Sequence, residues 1–147
     1  MFIMQNNRQT VQVISRNRLL LLVCTLAVIV LGLASRRYPV LFPEFLGKYP
    51  GDVLWSLMLY YGWAFLKPSS PANRIALFTL VTASLVEVSQ LIQVSWLNTI
   101  RHTTIGHLVL GTVFSWYDIF AYTIGVILGL YCDSLIIDRV QLKKLAP

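Results

Sequence analysis

The 147-residue chain is 56% apolar and only 12% charged, and its 12 Lys and Arg against 6 Asp and Glu give a net charge of +6. Soluble domains carry about 25% charged residues, and a chain this short cannot bury so much apolar surface in one water-soluble core. The composition therefore excludes an ordinary soluble domain and predicts an integral membrane protein. The cationic residues flank apolar runs instead of forming one basic face, so we expect no nucleic-acid partner.

Four apolar runs predict an all-α membrane bundle of four transmembrane helices. At about 1.5 Å per residue, the first two runs are short for a hydrocarbon core of about 30 Å, and flanking arginines can extend them by snorkelling. Three prolines between positions 39 and 50 exclude a continuous helix between the first two runs. The predicted helices are 19–34, 53–66, 75–94 and 116–137.

The segment before the last predicted helix, 95–115, contains Arg101, His102 and His107, and its apolar part spans only ten residues. Ten residues are too few to cross a bilayer, so we expect a re-entrant or interfacial segment. The two histidines lie five apart, whereas helical zinc motifs use a spacing of four, and Cys24 and Cys132 are isolated. We therefore expect no metal site and no cofactor.

The distribution of Lys and Arg predicts the orientation. Eight of them fall on the side of the two termini and four on the other side, which favours cytoplasmic termini. The predicted organisation is a cytoplasmic segment 1–18, a transmembrane domain 19–137 and a cytoplasmic tail 138–147. Arg16 and Arg18, the run 19–34 and the small residues at its end also resemble a signal peptide, which we interpret as an uncleaved first helix.

Glu87 is the main candidate for a functional residue. An ionisable residue within a membrane helix costs about 2.5–3.5 kcal/mol, so it tends to face protein or water and often marks function. Gln90 lies one turn further along the same predicted helix, and Thr79, Ala83, Glu87 and Gln90 form a small and polar stripe suited to helix contact. The alternative is a structural hydrogen bond or ion pair that holds the bundle together.

The last predicted helix presents a similar face. Asp118, Tyr122, Gly125 and Gly129 recur at offsets of 0, 4, 7 and 11, and the two glycines predict close packing against another helix. Asp118 is a candidate for the same polar site as Glu87. The alternative is that it caps its own helix, because Ser115 three residues earlier completes a capping box.

Asp52 and Arg101 complete the candidate set. Asp52 either belongs to the polar site or complements the positive end of the second helix. Arg101 either pairs with Glu87 or Asp118, or binds a lipid phosphate at the interface. Under the four-crossing topology these residues, Gln90 included, all fall in the outer half of the membrane. The sequence therefore predicts one polar pocket there.

The order of these residues resembles a known family. Glu87-x-x-Gln90, an arginine, and Asp118-x3-Tyr122-x2-Gly125-x3-Gly129 are similar to the pattern of VanZ-like bacterial membrane proteins, with Tyr122 where that pattern has asparagine. The stretches 49–55 and 96–122 resemble a related group of small, uncharacterised bacterial inner-membrane proteins. The resemblance implies a multi-pass protein of the bacterial cytoplasmic membrane with an envelope-related role.

Three functions remain open at this point. The first is a non-catalytic protein whose outer-leaflet polar pocket binds an envelope lipid or its headgroup, with membrane lipids as partners. The second is an accessory subunit of a larger complex, with other membrane-protein subunits as partners. The third is a lipid-acting enzyme that uses Glu87 and Asp118 as acid and base, for which no nucleophile is evident.

Overall fold

The described part of the chain is helical throughout its regular structure. A computed structural model describes residues 15–38, 40, 43 and 47–145, and for 136–145 only the helical backbone. Its six helices are α1 (Arg18–Arg37), α2 (Tyr49–Leu66), α3 (Ala72–Ser89), α4 (Ser95–Arg101), α5 (Thr104–Leu110) and α6 (Trp116–Leu145).

The helix ends follow local sequence signals. The Asn17 side chain accepts hydrogen bonds from two N–H groups in the first turn of α1, and Thr103 caps α5 in the same way. Pro50 and Asp52 lie in the first turn of α2, where a missing N–H and a negative charge are both favourable. Gly111 ends α5 with a φ of +64°, which a residue with a side chain rarely adopts.

α2 lies at the centre of the bundle. It packs on α1, α3 and α6, and α3 also packs on α6. Much of α1 faces outward, and Leu19 and Val30 are more than 60% exposed. Such exposure of large apolar side chains suits contact with lipid tails. The core cluster consists of Leu21, Val28, Leu57, Tyr60, Tyr61, Ala64, Ile75, Ala76 and Val126.

Three of the helices are long and apolar enough to cross a membrane: Arg18–Arg37, Ala72–Ser89 and the first 20 residues of α6, Trp116–Leu135. The all-helical, membrane-type fold that the sequence predicts is confirmed to this extent. α2 falls outside this set, since its 18 residues include Asp52 and five Tyr and Trp. The fourth crossing therefore stays a prediction.

Two predicted helix ends were wrong. α3 ends at Ser89, five residues before the predicted end, so Glu87 lies in its last turn instead of deep within a span. The cause is Arg101, whose guanidinium donates hydrogen bonds to the carbonyls of Ser89 and Ile92 and thereby satisfies the end of the helix. α6 continues to Leu145, past the predicted boundary at 137. The segment 95–115 contains the two short helices α4 and α5.

A buried ion pair joins the segment before α1 to α6. Arg16 makes a bidentate contact with Asp133, with nitrogen–oxygen distances of 2.6 and 2.5 Å, and also donates to the carbonyls of Pro68 and Ser70. The Tyr60 hydroxyl donates to Asp133 at 2.9 Å. Burial lowers the pKa of Arg16, but the hydrogen bond and the charge of Asp133 outweigh burial and raise that pKa. Arg16, in the predicted cytoplasmic segment 1–18, is thus buried against the bundle. Residues 1–14 lie outside the described part of the chain.

The pairing predicts a large loss of stability when one partner is removed. Asp133→Asn leaves the buried Arg16 charge uncompensated, which should lower the free energy of unfolding by about 3–5 kcal/mol. The measurement is chemical denaturation in mixed micelles. The double variant Arg16→Met, Asp133→Leu removes both charges and should recover most of that loss. An Asp133→Asn variant as stable as the parent would contradict the structural role of the pair.

α6 approaches α2 closely at two glycines. A Cβ on Gly125 would lie 2.0 Å from the Ser56 Oγ and 2.3 Å from the Val53 carbonyl oxygen. A Cβ on Gly129 would lie 2.6 Å from the ring of Tyr60. These distances leave no room for a methyl group, so the two helices pack backbone to backbone at these turns.

The close approach distinguishes Gly125 from Gly62 of α2, where an added Cβ meets nothing within 4 Å. We expect Gly125→Ala to force the helices apart and to cost about 1–3 kcal/mol of unfolding free energy. Gly62→Ala should be neutral or stabilising by up to about 1 kcal/mol, because alanine favours the helix. The same denaturation assay checks both variants, and equal effects at the two positions would refute the packing argument.

Candidate functional site

The candidate site lies at the end of the bundle opposite Arg16 and Asp133. Arg36 at the end of α1 contacts Asp52 at the start of α2. Lys48, just before α2, contacts Asp118 at the start of α6. Tyr122 of α6 contacts Glu87 at the end of α3. The end of α1, the start of α2, the end of α3 and the start of α6 therefore meet at one end, where α5 also packs on α3. This arrangement brings Asp52, Glu87 and Asp118 to the same region, although they are far apart in the chain.

Glu87 is fully buried and accepts three hydrogen bonds. Its Oε2 accepts from the Gln90 Nε2 and from the Tyr122 hydroxyl, each at 2.9 Å. Its Oε1 accepts from the Ser115 backbone N–H at 2.7 Å. The carboxylate thus links the last turn of α3 to the start and the second turn of α6.

These contacts change the interpretation of the capping box. In a capping box, the acid at the third position would accept from the backbone N–H of Ser115. Here Glu87 accepts that hydrogen bond from another helix, and the Asp118 carboxylate is directed elsewhere. A negative group at the start of α6 is also favourable for the helix dipole. The backbone N–H of Ser115 at the start of α6 is therefore capped by Glu87 of α3, and not by Asp118 of its own helix.

Each of the two aspartates pairs with a cation through one oxygen. The Asp118 Oδ2 lies 2.5 Å from the Lys48 Nζ, and the Asp52 Oδ1 lies 3.4 Å from an Arg36 nitrogen. Burial lowers the pKa of the Lys48 ammonium, but its hydrogen bond to Asp118 and the charges of Asp118 and Asp52 outweigh burial and raise that pKa. Lys48 therefore stays protonated at neutral pH.

A polar cavity of about 280 Å³ lies among these groups, close to the lower end of the range of about 300–1,000 Å³ for ligand pockets. Gly111 contributes to its wall, where a Cβ would lie 2.7 Å from the Gln90 Nε2. The lining consists of Arg36, Lys48, Asp52, Trp55, Val86, Gln90, residues 107–113, Asp118 and Tyr122.

Among the residues that line this polar cavity, four buried side-chain atoms have no hydrogen-bond partner within the described residues. They are the Asp52 Oδ2, the Trp55 Nε1, the Gln90 Oε1 and the Asp118 Oδ1. Asp52, Gln90 and Asp118 are each more than 90% buried. An unpaired buried polar atom costs about 1–3 kcal/mol, so four of them in residues that line one cavity mark a region where the protein can gain by binding a polar group.

Arg101 does not line the polar cavity. It is 1% exposed and binds backbone carbonyls at the end of α3, together with the Asn98 side chain at 3.3 Å. Neither predicted role, the pair with an acid of the site or the contact with a lipid phosphate, matches this geometry. The structure gives Arg101 a positioning role at the turn after Glu87.

The predicted helix-packing residues are found next to the site. Ala83 is fully buried in α3, one turn before Glu87. Gly125 and Gly129 hold α6 against α2, as described above. The sequence analysis did not predict Arg36, Lys48 and Trp55 as residues of the polar cavity. The two cations were interpreted only as residues that flank membrane helices, and the tryptophan was interpreted as an interfacial residue. Among the described residues, no group of three His, Cys, Asp or Glu could hold a metal ion.

One family model matches the chain. It describes a protein of unknown function, DUF2809, and it matches residues 41–126, which is more than half of the chain. The matched region contains α2 to α5, the start of α6 and every candidate residue of the polar cavity except Arg36. No solved structure matches the chain.

The hydrogen bond between Tyr122 and Glu87 can be tested directly. Tyr122→Phe removes one of the three donors to a buried carboxylate, which should lower the free energy of unfolding by about 1.5–3 kcal/mol. Tyr117→Phe is the matched control, because Tyr117 lies five residues earlier in α6 and is 71% exposed. It should change stability by less than about 0.5 kcal/mol. Similar losses for both variants would argue against the proposed network around Glu87.

Proposed function

Because the chain belongs to the DUF2809 family of proteins of unknown function, we propose its function from the site itself: it is a multi-pass membrane protein whose polar cavity binds an envelope lipid through the headgroup. The observation that carries this proposal is that four residues lining one cavity each have a buried polar atom without a partner in the described residues. A headgroup offers the several donors and acceptors that these atoms require.

The topology is part of the proposal. α1, α2, α3 and α6 alternate in direction, which suits four crossings with the start of α1 and the end of α6 on one side. The excess of Lys and Arg on that side favours the cytoplasm, and the polar cavity then opens toward the outer surface of the bacterial cytoplasmic membrane. An envelope-related role, which the resemblance to VanZ-like proteins implies, agrees with this location.

The contacts of Glu87 favour binding over acid–base catalysis. All three of its hydrogen bonds come from donors of the protein itself, two of which, Gln90 and Tyr122, line the polar cavity. Glu87 therefore acts as a positioning residue that fixes the orientation of these two side chains. The Gln90 amide donates to Glu87 and consequently presents its carbonyl oxygen as an acceptor.

Trp55→Phe tests the proposal with little structural disturbance. The Trp55 N–H has no partner among the described residues, whereas the ring, which phenylalanine largely replaces, packs on Tyr122 with a centroid distance of 5.2 Å. We expect similar stability without lipid, and about tenfold weaker binding of mixed vesicle lipids (phosphatidylethanolamine, phosphatidylglycerol and cardiolipin), because one hydrogen bond is lost. The measurements are the lipid-dependent rise in Tm and the lipid retained in native mass spectrometry.

The matched control is Trp63→Phe. The Trp63 Nε1 donates to the Thr82 Oγ1 at 3.2 Å, away from the polar cavity. This variant should lose stability without lipid and keep the parent's lipid response. No lipid-dependent rise in Tm for the parent, or an equal rise for the parent and Trp55→Phe, would overturn the proposal.

A further inference from the structure

An apolar groove between α1 and α2 adjoins the polar cavity. The groove has a volume of about 170 Å³. Its wall shares Arg36, Trp55, Leu108 and Val109 with the polar cavity, so one molecule can occupy both. The rest of the groove is apolar, and its main lining residues are Val28, Ile29, Leu33, Leu54 and Met58.

The groove runs along the helix axis. From Arg36 at its polar end to Val28 it follows eight residues of α1, or about 12 Å. Val28 is buried and Leu33 is half-exposed, so the groove is covered toward the bundle and open toward the surroundings. In a bilayer this direction is the direction of an acyl chain that descends from a headgroup at the membrane surface.

The unpartnered atoms specify the hydrogen-bonding character of the headgroup. Asp52, Gln90 and Asp118 present three acceptor oxygens, and Trp55 presents one N–H donor. A primary ammonium has three N–H donors and no acceptor, and therefore matches the three oxygens. A phosphate oxygen next to it can accept from Trp55.

The depths of the charged side chains match a headgroup that contains both an ammonium and a phosphate. The cationic side chains of Arg36 and Lys48 are 36% and 57% exposed, whereas the carboxylates that they contact are 9% and 6% exposed. Negative groups therefore lie deep and positive groups near the opening. Arg36 and Trp55 also stand where the groove meets the polar cavity. From the groove inward, the ligand encounters apolar surface, then an anion site, then acceptors for a cation.

We propose that the ligand is an aminophospholipid, a lipid whose primary ammonium is joined through a short linker to a phosphodiester. Asp52, Gln90 and Asp118 bind the ammonium. Arg36 and Trp55 bind the phosphate, and one acyl chain lies in the groove. This inference rests on the proposed function and specifies the class of lipid.

The first test compares headgroups with identical acyl chains. Titration of the detergent-solubilised protein with phosphatidylethanolamine should give binding about tenfold tighter, or better, than with phosphatidylcholine, whose methylated nitrogen has no N–H donor and leaves buried oxygens unpaired. Free phosphoethanolamine should bind at least tenfold more weakly than the lipid, because it leaves the groove empty. Equal binding of the two lipids would overturn the ammonium assignment.

The second test fills the groove. Leu33→Trp places a large side chain in it and should weaken phosphatidylethanolamine binding about tenfold, while leaving free phosphoethanolamine binding unchanged. Leu26→Trp is the control, since Leu26 is an equally exposed residue of α1 that lines none of the cavities described here, and it should bind as the parent does. Unchanged lipid binding by Leu33→Trp would overturn the acyl-chain assignment.

The outcomes separate this inference from the proposed function. If mixed vesicle lipids stabilise the parent more than Trp55→Phe, and phosphatidylethanolamine binds no better than phosphatidylcholine, the polar cavity binds lipid and the inference fails. If none of these lipids raises the Tm of the parent, both fail. If free phosphoethanolamine binds as tightly as the lipid, the ligand is a soluble phosphoamine and the lipid assignment is wrong.

Discussion

The site depends on the burial of one carboxylate. Glu87 is completely buried at the end of α3, and such a group is tolerated only when hydrogen bonds replace its water. Three donors meet this requirement: Gln90 directly after α3, Ser115 directly before α6, and Tyr122 within α6. Their convergence fixes α3 against α6, caps α6 and orients the Gln90 carbonyl oxygen on the cavity wall. The geometry of the polar cavity is therefore a consequence of satisfying Glu87.

The two ends of the bundle use buried charge differently. At one end, Arg16, Asp133 and Tyr60 pair with one another, and the guanidinium binds two carbonyls as well. The polar side-chain atoms of these three residues have partners within the protein, as expected for an interaction that stabilises the fold. At the other end, Asp52 and Asp118 each pair through one oxygen and leave the other without a partner in the described residues. Incomplete pairing of residues that line a cavity is the feature that distinguishes the proposed binding site from the group around Arg16 and Asp133.

Much of the arrangement could be predicted from residue type and order. The apolar runs indicated the long helices, and the spacing of Asp118, Tyr122, Gly125 and Gly129 placed these residues on one face of α6. Alternating helix direction was enough to bring Asp52, Glu87 and Asp118 to one end of the bundle. These predictions depend on periodicity and chain reversal, which the sequence expresses directly.

The remaining features depend on contacts between distant residues. The end of α3 was misplaced because Arg101, twelve positions after Ser89, supplies the cap in place of a local glycine or proline signal. The partners of Asp118 and Asp133 were missed for the same reason, since Lys48 and Arg16 lie 70 and 117 residues away in the chain. The local sequence around a cation that flanks a helix does not show whether the cation lies at the membrane interface or pairs with a buried acid.

The unusual composition of α2 follows from its place in the bundle and from the site. α2 is not among the three helices that are long and apolar enough to cross a membrane, and its Asp52 and Trp55 form part of the polar cavity. A helix that contacts lipid on most of its surface could carry the Asp52 carboxylate only at an insertion cost of about 2.5–3.5 kcal/mol. α2 packs on α1, α3 and α6, so protein covers much of the surface that lipid would otherwise contact. Its central position thus allows α2 to carry the polar residues of the site.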